Sequence, residues 1–278
     1  MTNAMAAQCR WRASLLAAAA AGSVAMALLA GCAAPQQPQS QQTGVEVVTP
    51  SDEPDNRRRA RIRMELASGY FSEGKTEIAL DEIKQVVAID PTLPDAYNLR
   101  GLVYMRLGDN RLAEENFRRA LALNPRDADV HHNYGWMLCQ SNRHVEAQRS
   151  FDTALSNPLY PGRSKTLMAQ GLCQARAGNR AEAERSLARS YELDAGNPIT
   201  GYNLAQLLYQ RREYERAQFY IRRLNNTDLA NAESLWLGIK VEQRMNDMAA
   251  LNQLSEQLRK RYPQSRERAS LERRAFDE

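Results

Sequence analysis

The chain has 278 residues, a net charge of +4 and a mean hydropathy of −0.60. So small a charge imbalance argues against a nucleic-acid partner, which leaves a clustered basic excess on the protein that binds it. The low hydropathy describes a water-exposed body, so any membrane association must rest on a local segment.

The N-terminus supplies such a segment. Arg10 and Arg12 precede an apolar run from Ala13 to Ala30, and the small pair Ala30-Gly31 stands just before Cys32. This order reads as a secretory signal over residues 1–31. The run is short for a membrane-spanning helix, and small residues end it where a charged stop-transfer flank belongs. Leu29-Ala30-Gly31-Cys32 resembles the lipobox of bacterial lipoproteins. The resemblance implies cleavage before Cys32 and lipid on its thiol and new amino group. Losing Arg10 and Arg12 takes the 37 basic residues to 35, against 33 acidic ones.

Residues 32–56 carry Pro35, Pro38, Pro50, Pro54 and a run of glutamines, with no helical or strand period. Such composition cannot bury a core and reads as a flexible tether. Fully extended it reaches roughly 80 Å, and its typical span is about 25–30 Å. The anchor therefore need not orient the body.

The body, residues 57–278, is periodic. Gly101, Tyr104, Gly108, Ala113, Phe117, Ala120 and Pro125 recur 34 residues earlier as Ala67, Tyr70, Gly74, Ala79, Ile83, Val86 and Pro91. The same step forward reaches Gly135, Leu138, Asn142, Ala147, Phe151 and Ala154. After a two-residue slip the series resumes at Gly171, Gly178, Ala183 and Leu187, and again at Ala205, Arg212, Ala217 and Ile221. A sixth, degenerate copy ends near Tyr262-Pro263. The pattern resembles the tetratricopeptide repeat. Each residue type has a physical role. Small Gly101 and Ala113 let paired helices approach, and large Tyr104 and Phe117 fill the space between them. Gly108 turns the chain where a left-handed conformation costs little, and Pro125 stops the second helix. The resemblance implies an all-α, right-handed α-solenoid of six helix pairs. They are placed at about 60–93, 94–127, 128–161, 164–197, 198–231 and 232–265. The charged, helix-favouring segment 266–278 then serves as the capping helix that a solenoid needs over its last apolar face.

Such a solenoid offers an inner groove. In the tetratricopeptide pattern, positions 2, 5, 9 and 12 of each first helix line it. Here they include Met64 and Phe71, Leu102 and Met105, Trp136, Met168 and Leu172, and Tyr202 and Tyr209. Methionines and aromatics suit adaptable recognition of an apolar or helical peptide. Asn98, His132, Asn133 and Asn203 are placed to hold a peptide backbone. The paired basic residues of a carboxylate clamp do not recur, so capture of a C-terminal carboxylate is not assigned.

Catalytic chemistry is not expected. The three histidines are His131, His132 and His144, and HExxH, CxxC, GxSxG and Walker sequences are absent. His131 and His132 are adjacent on a helix and face different ways, which makes a poor metal pair. No cofactor, metal or small-molecule substrate is expected. Of the four cysteines, Cys9 lies in the signal and Cys32 takes the lipid, which leaves Cys139 and Cys173. Gly135 and Gly171 are 36 residues apart, so the counterpart of Cys139 is position 175. Cys173 lies two residues before it, a rotation of about 200° on a helix. One cysteine then faces forward and the other back across the shared interface, and a structural disulfide between them is expected.

The order lipobox, Gln/Pro tether, repeats and cap contains three more specific segments. They are His132 to Cys139 (HNYGWMLC), Asn157-Pro158-Leu159-Tyr160-Pro161 and Gly171-Leu172-Cys173. Together they resemble the type IV pilus biogenesis and stability lipoproteins, the PilF/PilW family. The resemblance implies an outer-membrane lipoprotein facing the periplasm that acts as a pilotin. It would bind a secretin subunit and promote its outer-membrane localisation and multimerisation. Ala33, following Cys32, fits outer-membrane sorting by the same resemblance. The alternative reading is a structural periplasmic scaffold that holds envelope or cell-wall machinery without escorting a client.

Overall fold

Thirteen helices account for nearly all of residues 53–276, the residues that the computed structural model describes. The first repeat is α1 (Asp55–Ser72) and α2 (Thr76–Ile89), and the second is α3 (Pro94–Arg106) and α4 (Asn110–Leu123). The third is α5 (Ala128–Gln140) and α6 (His144–Leu155), and the fourth is α7 (Arg163–Arg176) and α8 (Arg180–Leu193). The fifth is α9 (Pro198–Gln210) and α10 (Tyr214–Asn225), and the sixth is α11 (Ala232–Met245) and α12 (Met248–Arg261). The cap is α13 (Arg266–Glu272), which packs on α11 and α12 and buries Leu271. The fold is a tetratricopeptide solenoid.

The first repeat begins earlier than its periodicity indicates. Helix α1 starts at Asp55, inside the segment read as tether. Pro54 caps it in a polyproline-like conformation. Its charged first turns bury Ala60 and carry ion pairs: Arg58 with Asp55, Arg61 with Glu53 and Glu65, and Arg57 with Asp90 at the end of α2. Such pairs extend a helix where no apolar period shows. Cys32 and the segments before residue 53 lie outside the described residues.

Within each pair the landmarks behave as their size requires. A Cβ on Gly101 would stand 2.6 Å from the Phe117 ring, and one on Gly135 would stand 2.9 Å from the Phe151 ring. On Gly171 it would be 2.7 Å from Leu187. Hydrogen at these positions lets the second helix drive a fully buried side chain against the first. Tyr104 is less enclosed than Phe117, and the Arg100 guanidinium lies 5.7 Å from its ring. Every turn within a pair contains one left-handed residue. It is Gly in three repeats (Gly74, Gly108, Gly178) and Asn142, Arg212 or Asn246 in the others.

Each helix packs on its chain neighbours, and successive first helices also touch: α1 on α3, α3 on α5, α5 on α7, α7 on α9 and α9 on α11. No second helix touches the next second helix among the described residues. First helices therefore lie on the tighter, inner side of the curve, and second helices splay on the outer side.

Candidate peptide-binding groove

The inner surface belongs to α1, α3, α5, α7, α9 and α11, so a side chain reaches the groove if it leaves these helices on the side away from the second helices. Met64, Phe71, Asn98, Leu102, Met105, Asn133, Trp136, Met168, Leu172, Tyr202 and Tyr209 are all half-buried. Core and surface each claim part of them, as a groove wall requires. Leu172 lines a hollow of about 340 Å³ between α7 and α9, with Arg176, Asn203 and Gln206. Tyr202 and Tyr209 line one of about 450 Å³ between α9 and α11, with Trp236, Lys240, Glu233 and Glu267.

His132 departs from this set. It is only 5% exposed, and its Nδ1 lies 3.0 Å from the Thr166 hydroxyl of α7. Burial, helped by the charge of Lys165, pushes its pKa down to about 4. A neutral imidazole bonded to a hydroxyl satisfies an otherwise dry contact between α5 and α7. His132 is therefore a core residue that joins repeats three and four, and it does not face the groove. Asn133 donates to Asn98 at 3.0 Å, so one donor and one acceptor of that pair are spent on each other. Asn203 donates to the Ile199 carbonyl of its own helix.

The groove aromatics share a feature that their spacing did not announce. Each of three has a cation from the next first helix over its ring. Arg106 covers Phe71 at 3.7 Å, Arg176 covers Trp136 at 4.9 Å and Lys240 covers Tyr209 at 5.6 Å. Lys240 also lies 5.7 Å from the Trp236 ring, and burial lowers its pKa. Cation–ring contacts of this kind tie each ring to the neighbouring repeat. Glu233, Trp236 and Lys240 are absent from the positions picked out by sequence. They occupy positions 2, 5 and 9 of the degenerate sixth repeat, so carrying the register one repeat further would have found them.

Cys139 and Cys173 form a disulfide with Cα atoms 5.8 Å apart, joining the last turn of α5 to α7. Both cysteines are buried. His144, at the start of α6, brings Nδ1 to 3.5 Å from Cys173 Sγ. That neighbourhood is tertiary: no spacing rule connects His144 to either cysteine. Asn157 to Gly162, which carries the inserted residues, is held by Tyr160 donating to Asp129 at 2.8 Å and by Arg163 donating to the Leu155 and Asn157 carbonyls.

Comparison with known proteins adds a second line of observation. Tetratricopeptide repeat profiles match residues 94–127 and 116–149, and a TPR repeat profile matches residues 68–108. The type IV pilus assembly protein PilF of Pseudomonas aeruginosa is 33% identical over 213 residues, which covers 77% of this chain and 84% of that protein. The chain belongs to the PilF family. A solved structure of Pseudomonas aeruginosa PilF superposes with a TM-score of 0.72 at 30% identity, over 80% of this chain and all of that one. PilW, described as a widely conserved type IV pilus biogenesis factor, superposes with a TM-score of 0.69 at 29% identity, over 76% of this chain and 97% of that one. Against these PilF family folds, the body here is a type IV pilus biogenesis protein of tetratricopeptide build.

Proposed function

We propose that the protein is a lipid-anchored pilotin. Its groove binds a segment of a secretin subunit while the lipid on Cys32 holds the complex at the periplasmic face of the outer membrane. It acts by binding and carries out no chemical step on its client. The observation that carries this reading is the likeness to PilF over 77% of the chain, joined to a lipobox-like sequence and a tether long enough to let the body turn toward its client. Two or more acyl chains make membrane attachment stable, where a single one is marginal.

The test compares secretin multimers and their membrane fraction in cells carrying the wild-type protein, Cys32→Ser, or no protein. Cys32→Ser moves the protein to the soluble periplasm, and secretin multimers fall in the outer-membrane fraction. Normal multimers at the outer membrane without the protein overturn the pilotin role and leave a scaffold. Trp136→Ala, in protein that still melts cooperatively, weakens capture of the secretin by about 2 kcal/mol, as loss of a packed aromatic anchor does. A sharp fall in melting temperature with normal capture places Trp136 in the core instead.

A further inference from the structure

We propose that the Cys139–Cys173 disulfide is the oxidised form of a zinc site, completed by His144 when the bond is reduced. Cys139 Sγ, Cys173 Sγ and a ring nitrogen of His144 all lie within 4.8 Å of one another. Nδ1 of His144 stands 3.5 Å from Cys173 Sγ. Around tetrahedral zinc, with bonds of about 2.3 Å to sulfur and about 2.0 Å to nitrogen, those two ligands stand about 3.5 Å apart. One edge of the coordination shell is thus already drawn. The cysteine Cα atoms, 5.8 Å apart, let two thiolates share an ion by side-chain rotation alone. Two thiolates and an imidazole form a soft donor set that suits zinc and excludes magnesium and calcium.

The surroundings supply a route and a fourth position. A solvent-facing cavity of about 470 Å³ is lined by His144 and Cys173, with Gln148, Gln174, Asn179 and Glu182 around them. Water or an incoming reductant reaches Cys173 from that side. Cys139, 1% exposed, lies behind it.

The conversion balances with a dithiol as the reductant. One of its thiolates attacks Cys173 Sγ, the bond to Cys139 breaks, and Cys139 leaves as a thiolate. The second thiol of the reductant then displaces Cys173, and the reductant departs as its own disulfide, oxidised by two electrons. Zinc binds both cysteine sulfurs and neutral His144, and the two thiol protons go to solvent. The ligands come from α5, α6 and α7, so the ion ties repeat three to repeat four where the disulfide did. The groove keeps its curvature in either redox state.

The test uses the full chain with Cys9→Ser and Cys32→Ser, which leaves Cys139 and Cys173 as its only thiols. The protein is reduced with a phosphine, freed of reductant, and titrated with Zn²⁺ against a chromophoric chelator, with native mass spectrometry for stoichiometry. The reduced chain takes up one zinc, the reoxidised chain takes up none, and zinc raises the melting temperature of the reduced form until a chelator removes it. His144→Ala, checked by an unchanged melt of its oxidised form, weakens zinc at least about tenfold, and His144→Cys restores it. Absence of zinc uptake by the reduced chain overturns the proposal, as does equal affinity in His144→Ala. Neither result bears on secretin binding.

Discussion

The junction between repeats three and four and the junction between repeats five and six share one geometry and use different chemistry. At the first, the Cys139–Cys173 bond and the His132–Thr166 hydrogen bond join α5 to α7. Gln174 adds a bond to Gln148 of α6 and accepts one from Ser186 of α8. These groups carry no charge. At the second, Glu242 of α11 is wholly buried and accepts from Arg222 at 2.6 and 2.8 Å and from Gln218 at 2.7 Å, all across from α10. Arg222 also reaches Asp247, whose pKa is lowered by the Ala250 amide and by Arg222. Each repeat in a solenoid contacts only its neighbours, so each junction can be stabilised by its own means. The centre is therefore expected to respond to redox state and acid, and the C-terminal end to the loss of an ion pair.

The following changes set the two junctions, and one turn, apart, beginning with the largest effect. Removing the disulfide with Cys139→Ala and Cys173→Ala lowers unfolding stability by about 3–4 kcal/mol in the chain-entropy view, for a loop closed across 34 residues. Denaturant titration with and without reductant measures it, and the double variant must show no further response to reductant. At the other junction, Arg222→Ala strands the Glu242 carboxylate and costs about 3 kcal/mol. Glu242→Gln is milder because the amide still pairs with Gln218, and wild-type behaviour in Arg222→Ala would show that the pair contributes nothing net.

Acid acts on the centre through His132. Its pKa is about 4 in the folded chain, against an ordinary histidine value of 6.5, so the unfolded chain takes up the proton first as pH falls. Stability therefore declines between about pH 6.5 and pH 4, by roughly 3 kcal/mol in all, and levels off below. His132→Asn, which retains a polar group for Thr166, removes that slope from the melting temperature. A slope unchanged in this variant would assign the acid response to other groups. The smallest effect lies in the turn before α10. Arg212 holds a φ of 63°, the conformation that glycine adopts in three other repeats. Arg212→Gly stabilises the fifth repeat by about 1 kcal/mol, seen as a small rise in the denaturation midpoint without effect on the central junction.

The repeat body was largely legible in advance. The copies place small, large and turn residues of the same classes at the same register, and local spacing dictates helix pairs wherever the apolar period is intact. First helices start at Pro94, Ala128, Arg163, Pro198 and Ala232 in repeats two to six, and α1 starts at Asp55, where ion pairs support a charged first turn. The residues expected in the groove, His132 apart, are half-buried on first helices, because such a position repeats with the helix.

Sequence by itself determined the helix pairs, the turns and the inner row of aromatics, since these depend on contacts within a few residues or one repeat length. Tertiary structure decided which of those positions reach solvent and what stands over them. His132 has a groove spacing, yet Thr166 lies across from it on α7, and a neutral ring in that contact is buried. The cations over Phe71, Trp136 and Tyr209 come from the next first helix, at a distance set by superhelical stacking. His144 meets the cysteines for the same reason: α5, α6 and α7 converge there only when repeat four docks on repeat three. Periodicity specifies the direction in which a side chain leaves its helix, and packing between repeats specifies what it meets.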